Sequence, residues 1–158
     1  MSEVAAPRFG LPGRIQAPNS RPRAIALVGL GEGGASIARR IASEPQPNVE
    51  VHVLAKSARG PDALAAIQAG GGDLQRGLAD ADMIFIVACR GDDVGLAPVV
   101  GGIARARKHP VTALYVVAPE ALGAGEDEAL RTLRQDVDML VVMSDESYVP
   151  AMIAALGN

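Results

Sequence analysis

A three-layer, doubly wound α/β domain on a mainly parallel sheet is the fold class this sequence predicts, and three observations carry it. Short, continuous apolar runs alternate with segments of helical period, the pattern of strands buried on both faces between covering helices. Apolar residues make up 49% of the chain, mostly aliphatic, with two Tyr, two Phe and no Trp, which suits a close-packed α/β core better than an aromatic-rich sandwich. At 158 residues the chain has the length of one domain and enough mass to bury a core.

Residues 1–23 differ from the rest. Pro7, Pro12, Pro18 and Pro22 alternate with Arg8, Arg14, Arg21 and Arg23, and Glu3 is the one acid. Proline at this density opposes helix and sheet, and little apolar surface offsets the entropy of ordering. A disordered leader is expected over 1–23, with a basic arm for an acidic partner as the alternative reading; the domain runs over 24–158.

Ala24–Leu30 is an apolar run ending in glycine and reads as a buried strand. Ala35–Ser43 reads as a helix with Ile37, Ala38 and Ile41 on one face. In Val49–Ala55 three valines alternate with Glu50 and His52, a strand pattern that assigns His52 to the solvent side. Asp62–Ala69 and Leu74–Leu78 are short helices separated by three glycines. Met83–Ala88 is a buried strand and Ala97–Lys108 the helix after it. Val111–Ala118 is the next strand, and Asp127–Gln135 a helix with Leu130 and Leu133 inward. Val137–Met143 is the last strand, and Ser144 is positioned to cap a final helix carrying Met152, Ile153 and Leu156.

Composition excludes several classes of function. A net charge of −3 gives no global field for nucleic acid, and base stacking lacks aromatics. No apolar run approaches about 18 residues, and the N-terminus has no apolar signal core, so neither membrane insertion nor secretion is expected and a cytoplasmic location is. The single cysteine, Cys89, excludes an internal disulfide and reads as a buried structural thiol. His109 follows Arg105, Arg107 and Lys108 at a helix end, where positive charge suits the helix dipole. No spacing of His, Cys and acids points to zinc, and no catalytic residue is expected.

Gly29-Leu-Gly-Glu-Gly-Gly34 follows a strand and opens a helix, so it meets the G-x-G-x-x-G pattern in its structural context. Glycines let the backbone turn tightly and approach a phosphate held by helix N-terminal N–H groups. Gly29, Gly31, Glu32, Gly33, Gly34 and Ser36 are therefore candidate cofactor-contacting positions. A Rossmann-like dinucleotide fold would place an acid after the second strand to bind ribose. Here Lys56, Ser57 and Arg59 stand instead, which leaves an NADP-binding alternative open beside a plain solvated loop.

A second candidate loop, Gly91, Asp92, Asp93 and Gly95, lies between the strand Ala81-Asp-Met-Ile-Phe-Ile-Val-Ala88 and Ala97-Pro-Val-Val100. With the first loop, with Pro110-Val-Thr-Ala-Leu-Tyr-Val-Val-Ala-Pro119 and with Asp136-Val-Asp-Met-Leu-Val-Val-Met-Ser-Asp145, this succession resembles the nucleotide-binding domain of FtsZ, the bacterial relative of tubulin, over most of residues 24–148. The resemblance implies a Rossmann-like sheet, guanine nucleotide (GTP or GDP) at the two loops, and partnership with an FtsZ-family filament or a second copy. The family signature, G-G-G-T-G-[TS]-G, is replaced by Arg90-Gly-Asp-Asp-Val-Gly-Leu96, shorter by two residues, with Val94 at the threonine position. The family asparagine of the first loop falls on Ser36. Carboxylates at Glu32, Asp92 and Asp93 oppose a polyphosphate unless Asp92 or Asp93 holds Mg²⁺. The chain ends where the resembled family continues into a second domain that supplies a catalytic acidic loop. A pseudo-GTPase acting through protein contacts is thus the expected function, with a non-hydrolysing guanine-nucleotide switch as the alternative and NADP binding after it.

Overall fold

A computed structural model describes residues 23–44, 46–54, 73–123 and 127–157. The expected leader over most of 1–23, the helix expected at Asp62–Ala69 and the candidate 2′-phosphate residues Lys56, Ser57 and Arg59 lie outside the described residues.

Five strands form one sheet: β1 (Ile25–Leu30), β2 (Val49–Leu54), β3 (Met83–Cys89), β4 (Val111–Val116) and β5 (Met139–Met143). Their order is β2-β1-β3-β4-β5 and every pairing is parallel, with Ile25 opposite Val49 and Met83, and Thr112 opposite Met139. The predicted fold class is therefore the observed one. Central β3 shows why its sequence is uninterrupted: Ile84, Phe85, Ile86, Val87 and Ala88 are all fully buried, since helices cover both faces.

One face carries α1 (Gly31–Ala42) and α5 (Tyr148–Gly157); Ile37, Ala38, Val149 and Ile153 pack there on Leu27, Phe85 and Leu114. The other carries α2 (Asp73–Asp80), α3 (Ala97–Ala106) and α4 (Glu128–Asp136), which set Leu78, Val100, Ala104 and Leu133 on Val28, Ile84, Ile86 and Tyr115. The inward positions expected for α1 and α4 are met.

Three local expectations are corrected. α1 begins at Gly31, four residues before the expected start, because the glycine run itself forms the first turn. α5 begins at Tyr148, so Ser144 is not its cap; the Asp145 carboxylate takes the Ser147 N–H at 2.8 Å instead. His52 is not on the solvent side: its side chain is only 10% exposed, beside Glu50 at 3.4 Å and beneath Gly77 of α2, and its Nε2 has no hydrogen-bond partner. Among the described residues β2 is an edge strand, but α2 covers the face that alternation alone assigns to water.

Chain direction reverses across the sheet between β1 and β3, where the connection from β1 leads outward to β2 and that from β3 leads outward to β4. In open parallel sheets the crevice outside the carboxyl ends at such a point is where ligands bind. The first turn of α1 and the loop after β3 meet there.

Candidate functional site

The crevice is built from two loops far apart in sequence. After Leu30 the chain turns at Gly31 with φ of 73°, a left-handed conformation that a side chain would strain, and enters α1 at once. After Cys89 it turns at Gly91, φ 89°, with the Asp92 N–H returning to the Cys89 carbonyl at 3.0 Å. This second turn aims the Asp92 side chain at the start of α1.

The Asp92 carboxylate is the centre of the site. Oδ1 accepts the Gly33 N–H at 2.9 Å; Oδ2 accepts those of Gly34 at 2.9 Å and Cys89 at 2.7 Å. Two of these donors belong to the first turn of α1, where helix N–H groups have no partner within the helix and carry the positive end of its dipole. Such an array holds phosphate in nucleotide-binding α/β proteins. Here the chain supplies the anion itself. The approach is close enough that a Cβ at Gly31 would lie 2.5 Å from the Asp92 Cβ, and one at Gly33 2.9 Å from its Oδ2. Gly31 and Gly33 are thus required by the carboxylate beside them, whereas a Cβ at Gly34 would meet the Val87 carbonyl.

The remaining candidate positions are less concentrated. Gly29 lies within β1, one residue before its end, Ser36 is half-buried within α1, and Glu32 is exposed in its first turn. Asp93 points away from α1: its Oδ1 accepts the Gly95 N–H at 2.9 Å, closing a local turn. Gly91, Asp93 and Gly95 line a cavity of 240 Å³ that Asp92 also borders, with Glu128 and Thr132 of α4. The structure therefore joins Gly31, Gly33 and Gly34 to Asp92, and directs Asp93 to another surface. Among the described residues no cluster of three or more His, Cys, Asp or Glu side chains is arranged to hold a metal.

Cys89 is half-buried rather than fully buried. Burial first, then the charges of Asp92 and Glu146, push its thiol up to about 11 against a smaller opposing effect of Arg40. It is held as an unreactive thiol at neutral pH. Beyond it, Cys89, Arg90, Val116, Asp145 and Glu146 frame an open groove of 510 Å³ across the ends of β3, β4 and β5.

A second polar cluster escaped the sequence reading. Tyr115, fully buried at the end of β4, donates from its OH to Asp127 Oδ2 at 2.6 Å. Asp127 Oδ1 also caps α4 by accepting the Leu130 N–H at 2.8 Å, and Arg90 lies 3.8 Å from Oδ2. Burial, followed by the bond to Asp127 and its charge, holds the Tyr115 phenol well above its usual range. Burial acts to raise the Asp127 carboxyl, but the bonds from Tyr115 and Leu130 and the Arg90 charge outweigh it, and the net shift is downward. The cluster ties the loop after β3 to the start of α4. Tyrosine at the end of an otherwise aliphatic strand was the available signal.

No protein-family model matches this chain, and no curated protein sequence does. Solved structures do. An FtsZ W319Y mutant from M. jannaschii superposes with a TM-score of 0.55 at 21% identity, covering 77% of this chain and 46% of that one. A structure titled as an empty FtsZ dimer from M. jannaschii superposes with a TM-score of 0.57 at 19% identity, covering 84% of this chain and 48% of that one. The chain spans less than half the length of either. With its all-parallel five-stranded sheet, helices on both faces and crevice at the reversal between β1 and β3, this chain has the fold of the FtsZ nucleotide-binding domain.

Proposed function

We propose that this chain is an FtsZ-like pseudo-GTPase module that acts through protein–protein contacts and carries its own carboxylate where a nucleotide-binding relative would hold phosphate. One observation carries the reading: Asp92 accepts the N–H groups of Gly33, Gly34 and Cys89, the donors a phosphate would need. A nucleotide has two routes to that crevice, and both are unfavourable. Beside Asp92, a phosphate charge about 4 Å away at an effective dielectric near 20 costs about 4 kcal/mol. Displacing Asp92 forfeits three charge-assisted hydrogen bonds, worth about 1.5–3 kcal/mol each in favourable settings. Glu32, Asp145 and Glu146 add negative charge at the same end of the sheet, offset in part by Arg40 paired with Glu146.

The same argument weighs against a guanine-nucleotide switch and against NADP, whose pyrophosphate would need these donors too. Mg²⁺ at Asp92 finds both carboxylate oxygens already facing N–H hydrogens. Calorimetric titration of GTP, GDP and NADPH, each with and without Mg²⁺, is the test. No heat of binding is expected; saturable binding of a guanine nucleotide would overturn the proposal in favour of the switch.

A further inference from the structure

The two edges of the sheet are finished differently. β2 carries the half-exposed Glu50 beneath α2, paired at 3.8 Å with Arg76 of that helix, and charge of this kind discourages another strand from adding on. β5 reads Met139-Leu-Val-Val-Met143, with no charge, proline or glycine. It leaves Met139 48% and Val142 44% exposed, and among the described residues no strand pairs with its outer edge. The Met143 carbonyl faces β4, where it accepts the Val117 N–H at 2.8 Å. By strand alternation the N–H and C=O groups of Leu140 and Val142 point outward.

We propose that β5 is a self-association edge, pairing antiparallel with β5 of a second copy about a two-fold axis at Val141 to make one ten-stranded sheet. The sequence itself favours a second copy as the occupant, because it is nearly the same in both directions about Val141. In that register Leu140 of one copy opposes Val142 of the other, and the outward groups of both meet as a hydrogen-bonded pair. Met139 opposes Met143, so both exposed side chains gain an apolar neighbour on their own face of the sheet. Asp138 falls opposite Ser144, so the strand and its immediate flanks bring no like charges together. A two-fold interface requires self-complementarity of this kind. The inference deepens the protein-contact reading above by naming the surface and partner, and its test involves no nucleotide.

The full chain, without nucleotide, is followed by sedimentation equilibrium up to about 100 μM. A reversible dimer is expected, weakened about tenfold or more by Val142→Lys, while Gln75→Lys, at an exposed position of α2 over the opposite edge of the sheet, leaves it unchanged. Urea unfolding verifies that each variant folds. Val141→Cys, placed opposite its own copy by the two-fold, is expected to give an intermolecular disulfide under mild oxidation in a Cys89→Ser background. A monomeric wild type, or a dimer indifferent to Val142→Lys and not cross-linked through position 141, overturns the inference and leaves nucleotide independence standing. GTP binding by a dimer that passes these tests does the reverse.

Discussion

Asp92→Ala should create an anion site where the wild-type chain has none. Three N–H groups lose their acceptor: Gly33 and Gly34 at 2.9 Å, Cys89 at 2.7 Å. Charge-assisted bonds of this type are worth about 1.5–3 kcal/mol each, but the loop is half-exposed and water re-solvates part of the array, as when helix N-caps are truncated for about 0.5–2 kcal/mol. A net destabilisation of about 2–4 kcal/mol is expected in urea. Phosphate or sulfate should then restore what was lost. At a hundred times its dissociation constant, an anion that binds only the folded state adds about 2.7 kcal/mol. For a chain of this size that is about 5–10 °C in Tm. The assay is a thermal melt at constant ionic strength, with chloride exchanged stepwise for phosphate. The variant should rise and saturate, while the wild type stays flat because any anion must first evict the tethered carboxylate. Equal shifts in both proteins, or none in a folded variant, would refute the reasoning.

Other outcomes follow from the neighbouring groups. The folded state holds the Cys89 thiol protonated, so its contribution to stability is full below the ordinary value of 9.0 and is lost as pH rises through about 11. Cys89→Ala should therefore lessen the fall in urea midpoint across that interval, leaving the later alkaline loss due to Tyr115. Iodoacetamide should alkylate the native thiol near neutral pH far more slowly than the urea-unfolded one. Tyr115→Phe deletes a 2.6 Å bond to Asp127 while keeping the buried ring, and should cost about 1–2 kcal/mol in a denaturant titration.

The fold was legible because parallel strands buried on both faces leave continuous apolar runs, and β3 and β4 were placed within a residue or two on that basis. Edges and ends were less legible. Alternation in β2 implied one wet face, and nothing local revealed that α2 would bury His52. The glycine segment was read as opening a helix that starts at Ala35, but a positive φ at Gly31 lets the glycines themselves form its first turn. The candidate site was half legible. Both loops could be found, and the acids of the second stood out as charges set against a phosphate. That Asp92 would satisfy the donors itself depends on a contact across 59 positions between two turns, a distance over which local pattern carries no information. Asp93, its neighbour of identical chemistry, is turned elsewhere, so charge alone could not choose between them.

A ligand carried on the same chain is present at an effective concentration that dilution cannot lower. In a protein whose loops close on a diffusible nucleotide, their shape reports how much of that nucleotide the cell contains and how recently it was hydrolysed. Here the Gly91 turn and the first turn of α1 are latched by hydrogen bonds to a carboxylate that the chain itself carries. Under the function proposed above, surfaces next to that latch would keep one geometry whether or not nucleotide is present. An assembly that included this chain would gain a subunit without a clock.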